Sequence, residues 1–275
     1  MASIPEDSDS APTTFSDGCR GLSICLLADV ALPVTGGAQT VLDALARNLL
    51  LLGHHPVVVA PTPRSTWNDD RFPYRMVRHR KLRSKRIGTR LLLPRLMRLH
   101  HRHRFDLVHC HSAYPPAHVA RSLRRFTGLP YVVRPHGADV LPGDVVRSSR
   151  WLESRMLAAL RAADGVIAQG RFMHEVVFDL GVPAERIHTI HNGVDLASFT
   201  AADPFTHPRP YVLGIGSLVP HKGFDLLAQA FTILTDDHVD LLIAGEGPER
   251  EPIRRLIDEL GLKGRIHLLG TVGGD

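Results

Sequence analysis

Two turns in the last quarter of the chain have the composition of phosphate-binding loops. The apolar run at 211–215 leads into a glycine-containing turn, and the segment at 240–248 is a second apolar strand that runs into such a turn. Residues with apolar side chains at helical spacing follow each turn. Backbone N–H groups, the positive end of a helix and a nearby ammonium group together suit an anion. An ordinary strand-to-helix connection also favours glycine and is the alternative. The candidate phosphate-binding residues are Gly216, Ser217, Lys222, Gly245 and Glu246.

A histidine-containing loop is the most chemically suggestive segment of the first half. A short apolar run at 129–134 delivers His136 to the sequence His-Gly-Ala-Asp, which ends at Asp139. A histidine at the carboxyl end of a strand can donate a hydrogen bond to a sugar hydroxyl or a departing phosphate without a full change of charge. A catalytic role for His136 is one reading, and a structural His-Gly loop, the more usual reading of such a segment on its own, is the alternative.

A second pair of histidines, His109 and His111, stands at the end of the apolar run 105–110. The His-x-His spacing suggests a metal site, and more histidines lie nearby at 100–103. No carboxylate or cysteine pair completes a tetrahedral ligand set at customary spacing, so we expect no metal site there.

The elements that must position these residues alternate in type along the chain. Glycine turns separate short apolar runs from segments of helical periodicity in both halves. This order predicts α/β architecture with two doubly wound parallel sheets. The predicted organisation is a mobile tail at 1–20, a first domain at 21–200, a linker at 201–210 and a second domain at 211–275.

Composition limits the class of protein. The 275 residues are 44% hydrophobic and 22% charged, which indicates a globular chain. The three cysteines imply no disulfide framework and favour a reducing, cytoplasmic setting. The first twenty residues do not read as a secretory signal, and no apolar run approaches the ~20 residues that cross a bilayer.

Positive charge is concentrated in one segment. About a dozen Lys or Arg and no Asp or Glu lie at 75–104, with leucines interleaved. A basic amphipathic element suits an anionic membrane surface, and the alternative is a solvated helix whose leucines face the core. We expect no nucleic-acid partner, because no recognised binding module accompanies the charge.

The joint spacing of these motifs resembles a known family. GSLVPHKGFDLLAQAF at 216–231, followed by LLIAGEGPEREPIRRLIDELGLKGRIHLLG at 241–270, looks like the donor-binding domain of family 4 glycosyltransferases. Those are retaining enzymes of the GT-B fold that use nucleotide-sugars. The resemblance covers roughly 21–275, and it includes an Asn-Gly-Val-Asp segment at 192–195 that marks the domain crossing.

The resemblance also implies roles for individual residues. Gly36 and Gly37 match a loop that serves the donor phosphates and the acceptor at the interdomain cleft, and His136 matches the histidine beside the transferred sugar. The glycine turns and Lys222 match the part that stabilises the leaving diphosphate without a metal. Further residues of family segments near the cleft are His109, His111 and Asp139.

Two positions depart from the family pattern. Gln39 stands where an acidic residue is common, and Ser217 stands where an arginine is usual. A hydroxyl replaces a bidentate, charged contact at Ser217, which predicts weaker diphosphate binding or compensation elsewhere. The family's Glu-x7-Glu pair is not found in its glycine-rich setting, so the second domain is expected to be incomplete.

The resemblance implies a retaining hexosyltransferase with no cofactor, a nucleotide-sugar donor and a glycan, lipid or small-molecule acceptor. The cysteine content predicts a cytoplasmic location, and the basic segment predicts peripheral contact with the inner face of the membrane. One alternative is a non-catalytic fragment that binds a membrane or a partner through 75–104. Another is a GT-B epimerase, against which the His136 and Asn-Gly-Val-Asp segments argue.

Overall fold

The computed structural model describes residues 20–34, 36–63, 67–80, 85–137, 139–143, 145–194, 196 and 205–272. The chain divides into two compact units, Met1–Val194 and Asp195–Asp275. Several predicted features lie outside the described residues. They are residues 1–19 of the predicted tail, with Cys19, Asp195 of the crossing segment and the first part of the predicted linker.

The first unit contains a seven-stranded parallel sheet in the order β3-β2-β1-β4-β5-β6-β7. Because neighbouring strands are all parallel, their carboxyl ends meet at one edge, and the chain order reverses between β1 and β4. The elements in chain order are β1 Ser23–Ala28, α1 Gly37–Leu51, β2 His55–Pro61, β3 Arg75–His79, α2 Lys85–His103, β4 Leu107–His111, α3 Pro116–Thr127, β5 Tyr131–Val133, α4 Arg150–Arg161, β6 Gly165–Ala168, α5 Arg171–Asp179 and β7 Ile187–Thr189.

Both faces of this sheet are covered, which explains why its central strands are continuous apolar runs. Alternate residues of β1 enter two different cores: Cys25 and Leu27 pack in the larger one, and Ile24 and Leu26 pack in the smaller one with Leu42 of α1. The predicted α/β architecture of this half is confirmed.

The basic segment at 75–104 is two elements rather than the single amphipathic element predicted. Its first part is the edge strand β3, and its second part is helix α2. The leucines of α2 mostly face the core: Leu92 and Leu96 are buried, and only Leu91, which is 60% exposed, points clearly away. The charged residues Arg90, Arg98 and Arg102 are exposed, so the leucines of this helix mostly pack inward and its arginines face solvent.

Helix α3 was not predicted. It begins at Pro116, where the missing N–H costs nothing at a first helical position, and it ends before Gly128, which adopts a left-handed conformation with φ 73°. The proline pair Pro115 and Pro116 reads as loop in the sequence, yet Ala117, Ala120 and Leu123 of this helix are all buried.

The second unit is a three-stranded parallel sheet in the order β10-β9-β8. Its strands agree closely with the predicted runs, and its helices bury the apolar faces that the sequence indicated, with Phe224, Ala228, Ile253 and Ile257 in the core. The elements are β8 Tyr211–Ile215, α6 Phe224–Ala230, β9 Asp240–Ala244, α7 Arg250–Glu259 and β10 Ile266–Gly270.

Candidate functional site

A pocket of about 150 Å³ lies in the first unit at the carboxyl edge of the sheet. Residues that follow three neighbouring strands meet there, together with the start of α1, because the strands are parallel and their connections leave from the same edge. Its lining includes the predicted residues His111, His136 and Asp139, but not His109. The other lining residues are Asp29, Val30, Ala38, Gln39 and Ser112.

The three predicted histidines form a stack. The ring of His136 lies 5.6 Å from that of His111, and the His136 Nε2 and His111 Nδ1 atoms are 3.4 Å apart. The ring of His109 stacks on His111 at 4.6 Å, underneath the pocket. The stack therefore connects the buried end of β4 to the histidine loop.

These imidazoles are held in their neutral form. Burial, with a further contribution from the charge of Arg134, lowers the pKa of His136 to about 4. Burial also lowers the pKa of His109 to about 3 and that of His111 well below its usual value. At neutral pH His136 is an uncharged group that can donate or accept a hydrogen bond in the pocket.

Asp139 fastens the histidine loop to its neighbour. Its Oδ1 atom accepts a hydrogen bond from the His136 N–H at 2.9 Å, and its Oδ2 atom accepts one from the Ala113 N–H at 2.6 Å. The carboxylate thus joins the loop after β5 to the loop after β4. This predicted residue does line the pocket, and its oxygens fix the position of His136.

Three residues that were not predicted to do so support this loop. Arg134 and Gln169 were not identified in the sequence, and Asn192 was assigned only to the domain crossing. Arg134 is buried, and its Nη2 donates a hydrogen bond to the side-chain oxygen of Asn192, while the Gln169 Nε2 donates to the carbonyl oxygen of Pro135. All three follow strands β5, β6 and β7 at the same edge as His136. Their position after successive parallel strands is the signal that could have identified them.

The Gly36-Gly37 pair stands at the start of α1. The Gly36 carbonyl oxygen accepts hydrogen bonds from the N–H groups of Gln39 and Thr40, both at 3.1 Å. A Cβ atom on Gly36 would lie 2.5 Å from the Gln39 Oε1 atom, whereas one on Gly37 would meet nothing within 4 Å. The pair therefore leaves the helix start open next to the pocket that Gln39 lines.

The predicted residues of the second unit lie in two interlocked turns at the carboxyl edge of its sheet. The Leu218 N–H donates to the Glu246 carbonyl oxygen at 2.9 Å. A Cβ atom on Gly245 would lie 1.8 Å from the Gly216 carbonyl oxygen, and Gly245 also has a φ of 149°. Close packing of the turns thus demands this glycine whether or not a phosphate binds there.

Glu246 and Lys222, the charged candidate residues at these turns, differ in whether they form an ion pair. The Glu246 carboxylate pairs with Arg250 at 2.9 Å. Lys222 closes a single 3-10 turn, Pro220–Lys222, and Gly223 separates it from α6. Helix α6 begins at Phe224, the first residue of the apolar periodicity that the sequence shows. Lys222 is exposed and forms no ion pair with any residue that the structure describes.

No group of metal ligands involves His109 or His111 within the described part of the chain. The one set of three ligand side chains found there lies in the second unit and consists of His207, Asp240 and His267. It is remote in the fold from the turns that carry Gly216 and Gly245.

Family models match the chain along most of its length. The model described as Glycosyltransferase Family 4 matches residues 35–198, and the model described as Glycosyl transferases group 1 matches residues 199–275.

Curated relatives are distant in sequence. One subunit of the human phosphatidylinositol N-acetylglucosaminyltransferase is 26% identical over 264 residues, covering 92% of this chain and 54% of that protein. A GDP-mannose-dependent alpha-(1-6)-phosphatidylinositol monomannoside mannosyltransferase from Mycolicibacterium smegmatis is 30% identical over 260 residues, covering 84% and 62%. The chain spans about half the length of the first curated relatives it matches.

Solved structures share the fold. HepE of Anabaena, in complex with UDP-glucose, gives a TM-score of 0.70 at 18% identity, covering 92% of this chain and 70% of that one. A sucrose-phosphate synthase from Thermosynechococcus elongatus also gives 0.70 at 18% identity, covering 91% and 71%. The predicted GT-B-like fold is thereby confirmed, and with residues 35–198 matched by its model, the chain belongs to glycosyltransferase family 4.

Proposed function

We propose that this protein transfers a hexose from a nucleotide-sugar to an acceptor with retention of configuration. The observation that carries the proposal is the pocket at the edge of the first sheet, where neutral His136 is fixed by Asp139 beside the open start of α1. An uncharged imidazole can form a hydrogen bond with a sugar hydroxyl, and it carries no net charge that would attract or repel a charged group of the substrate. Retention is included because the resembling enzymes retain configuration.

The donor's diphosphate is assigned to the turns of the second unit. Lys222 supplies an exposed cation that no described acidic residue neutralises, and backbone N–H groups of the Gly216-Ser217 turn supply further donors. UDP and GDP are the nucleotides to test, because a solved neighbour was crystallised with UDP-glucose and the mycobacterial relative is named for GDP-mannose. No metal or cofactor is needed for this arrangement.

An inositol phospholipid is the acceptor to test first. The human, yeast and mycobacterial relatives all carry phosphatidylinositol in their names. Among the helices that the structure describes, none combines the length and the apolar character that a bilayer crossing demands.

The direct test is a transfer assay with radiolabelled UDP-N-acetylglucosamine or GDP-mannose and vesicles that contain phosphatidylinositol. We expect label in the lipid fraction, and the anomeric configuration of the product, read by NMR, should equal that of the donor. Inversion would overturn retention, and donor hydrolysis without lipid labelling would overturn the acceptor class. No consumption of either donor by the folded chain would overturn the transferase proposal.

Replacement of Lys222 by alanine should weaken binding of a nucleoside diphosphate by about tenfold, because one charge-assisted hydrogen bond to phosphate is worth roughly 1.5 kcal/mol. Calorimetric titration with UDP and GDP measures the change. Lys263→Ala is the matched control, since this lysine is also exposed in the second unit but pairs with Asp258 at 3.1 Å. Equal affinities of the Lys222→Ala variant and the unmodified chain would remove Lys222 from the site.

We also propose that the exposed arginines of α2 hold the protein at an anionic membrane surface. The helix packs its leucines inward and presents Arg90, Arg98 and Arg102 to solvent. Each cation near such a surface contributes about 1 kcal/mol. A triple glutamine variant of these arginines should therefore bind anionic vesicles on the order of 100-fold more weakly.

Co-sedimentation with vesicles that contain phosphatidylserine, at two salt concentrations, measures this effect. The control replaces three other exposed arginines, Arg150, Arg171 and Arg255, so that the same charge is removed from other elements. If both triple variants lose binding equally, the effect is one of net charge and the assignment to α2 is wrong.

A further inference from the structure

Three side chains with metal-binding atoms converge in the second unit, at the amino-terminal edge of its sheet. The His207 Nε2 atom lies 2.7 Å from the Asp240 Oδ2 atom, and the His267 Nε2 atom lies 3.7 Å from the same oxygen. Each of the three residues offers one ligand atom, and these three atoms all lie within 4.8 Å of one another. We propose that these residues form a binding site for a transition-metal dication of the zinc class.

The backbone holds the three residues in place independently of any ligand. Asp240 is the first residue of β9 and His267 is the second residue of the neighbouring parallel strand β10. The Asp240 N–H donates to the Pro210 carbonyl oxygen at 2.9 Å, which fixes the segment that carries His207 against the same edge. Such preorganisation lowers the cost of assembling a ligand set.

The spacing of the ligand atoms suits a tetrahedral ion. Bonds of about 2.0–2.1 Å from a zinc ion to imidazole nitrogen and carboxylate oxygen place ligand atoms roughly 3.3 Å apart. The two observed nitrogen-to-oxygen separations, 2.7 and 3.7 Å, lie on either side of this value. Two imidazoles and one carboxylate favour Zn²⁺, Co²⁺ or Ni²⁺ over Mg²⁺ or Ca²⁺, with water in the remaining position.

The three side chains differ in their exposure to solvent, and a guanidinium group lies next to them. The Asp240 side chain is only 3% exposed, while those of His207 and His267 are 16% and 38% exposed, so the carboxylate is sequestered and the imidazoles reach solvent. Arg209 approaches the other carboxylate oxygen, Oδ1, at 3.3 Å and leaves Oδ2 to the imidazoles. The guanidinium opposes a second cation, so we expect moderate rather than picomolar affinity.

The site is structural and separate from the proposed donor site. Its residues stand at the amino ends of β9 and β10, whereas Gly216 and Glu246 follow the carboxyl ends of β8 and β9. Five-residue strands place these edges about 15 Å apart. A bound ion would join the segment before β8 to two strands of the sheet, so the inference does not depend on the proposed transferase activity.

Titration of the metal-free chain with Zn²⁺ or Co²⁺ alone tests the site. At Zn²⁺ well above the dissociation constant, the Tm of the unmodified chain should rise by about 5 °C. Co²⁺ should give the intense visible absorption of a four-coordinate ion. His267→Gln and Asp240→Asn should lose both effects, and His207→Gln should lose most of them.

The matched control is His238→Gln, because this histidine lies in the same unit but is 88% exposed and outside the set. It should respond to Zn²⁺ and Co²⁺ like the unmodified chain. If Asp240→Asn fails to fold, the two histidine variants decide the result. The proposal is overturned if the unmodified chain shows neither effect, or if His267→Gln and His207→Gln respond as strongly as His238→Gln.

Discussion

The His136→Ala variant is expected to lose roughly 100- to 1000-fold of the rate of sugar transfer, the range typical for removal of one positioned hydrogen-bonding group at a reacting centre. Its affinity for nucleoside diphosphate should stay the same, because the phosphate contacts are assigned to the second unit. The fold should also persist, since His136 is held through its backbone N–H by Asp139, and alanine keeps that hydrogen bond.

The pH dependence of the reaction distinguishes this role from that of a titrating base. Burial keeps the pKa of His136 at about 4, so the imidazole is neutral throughout the range from about pH 5.5 to 8. The transfer rate should show no titration from this group in that range. His238→Ala, an exposed histidine of the other unit, is the control. Turnover of His136→Ala equal to that of the control would exclude His136 from the mechanism.

The second large effect expected is loss of stability of the first unit in mild acid. His109 and His111 are buried, and their pKa values are lowered mainly by that burial. The unfolded chain binds a proton at each of these positions below about pH 6.5, whereas the folded chain does not until the pH is much lower. The contribution of His109 to stability is complete above pH ~6.5 and is lost as the pH falls toward about 3, and that of His111 is lost in the same direction.

Between pH 6.5 and 5 each fully neutral imidazole removes about 2 kcal/mol from the free energy of unfolding. For His109 the loss is therefore about 2 kcal/mol, and denaturant titrations at pH 7.5 and 5.0 measure it. The pKa values of other histidines are lowered as well, so the comparison with a variant is what isolates the contribution of His109; these residues are His100, His103, His111, His118 and His136.

His109→Asn cannot take up the proton. We expect it to be less stable than the unmodified chain at pH 7.5 but to lose about 2 kcal/mol less between pH 7.5 and 5.0. The exposed His188 provides the control His188→Asn, whose pH dependence should match that of the unmodified chain. An unchanged slope in His109→Asn would contradict the burial account of these histidines.

The sequence predicted those elements whose local pattern and tertiary role coincide. The strand at 211–215 was placed at its observed bounds, because a short run of apolar residues that a glycine turn follows is typical of a strand. The same pattern located His136 at the end of a strand, and topology then explains why His111 and Asp139 lie beside it.

The elements and contacts that were not predicted from the sequence also have physical explanations. Strand β3 carries arginines because it is an edge strand, so it did not read as part of a sheet. Helix α3 begins with a proline pair, which local rules read as a break. Long-range partners such as Arg134 and Asn192, 58 residues apart, carry no local signal.

Calorimetric titration of the chain with UDP, GDP and their sugars is the most direct test of the central claim, that this protein uses a nucleotide-sugar. We predict saturable binding of one nucleotide class, weakened about tenfold by Lys222→Ala and unchanged by Lys263→Ala. Absence of binding to every nucleotide, in a chain shown by circular dichroism and thermal unfolding to be folded, would contradict the account.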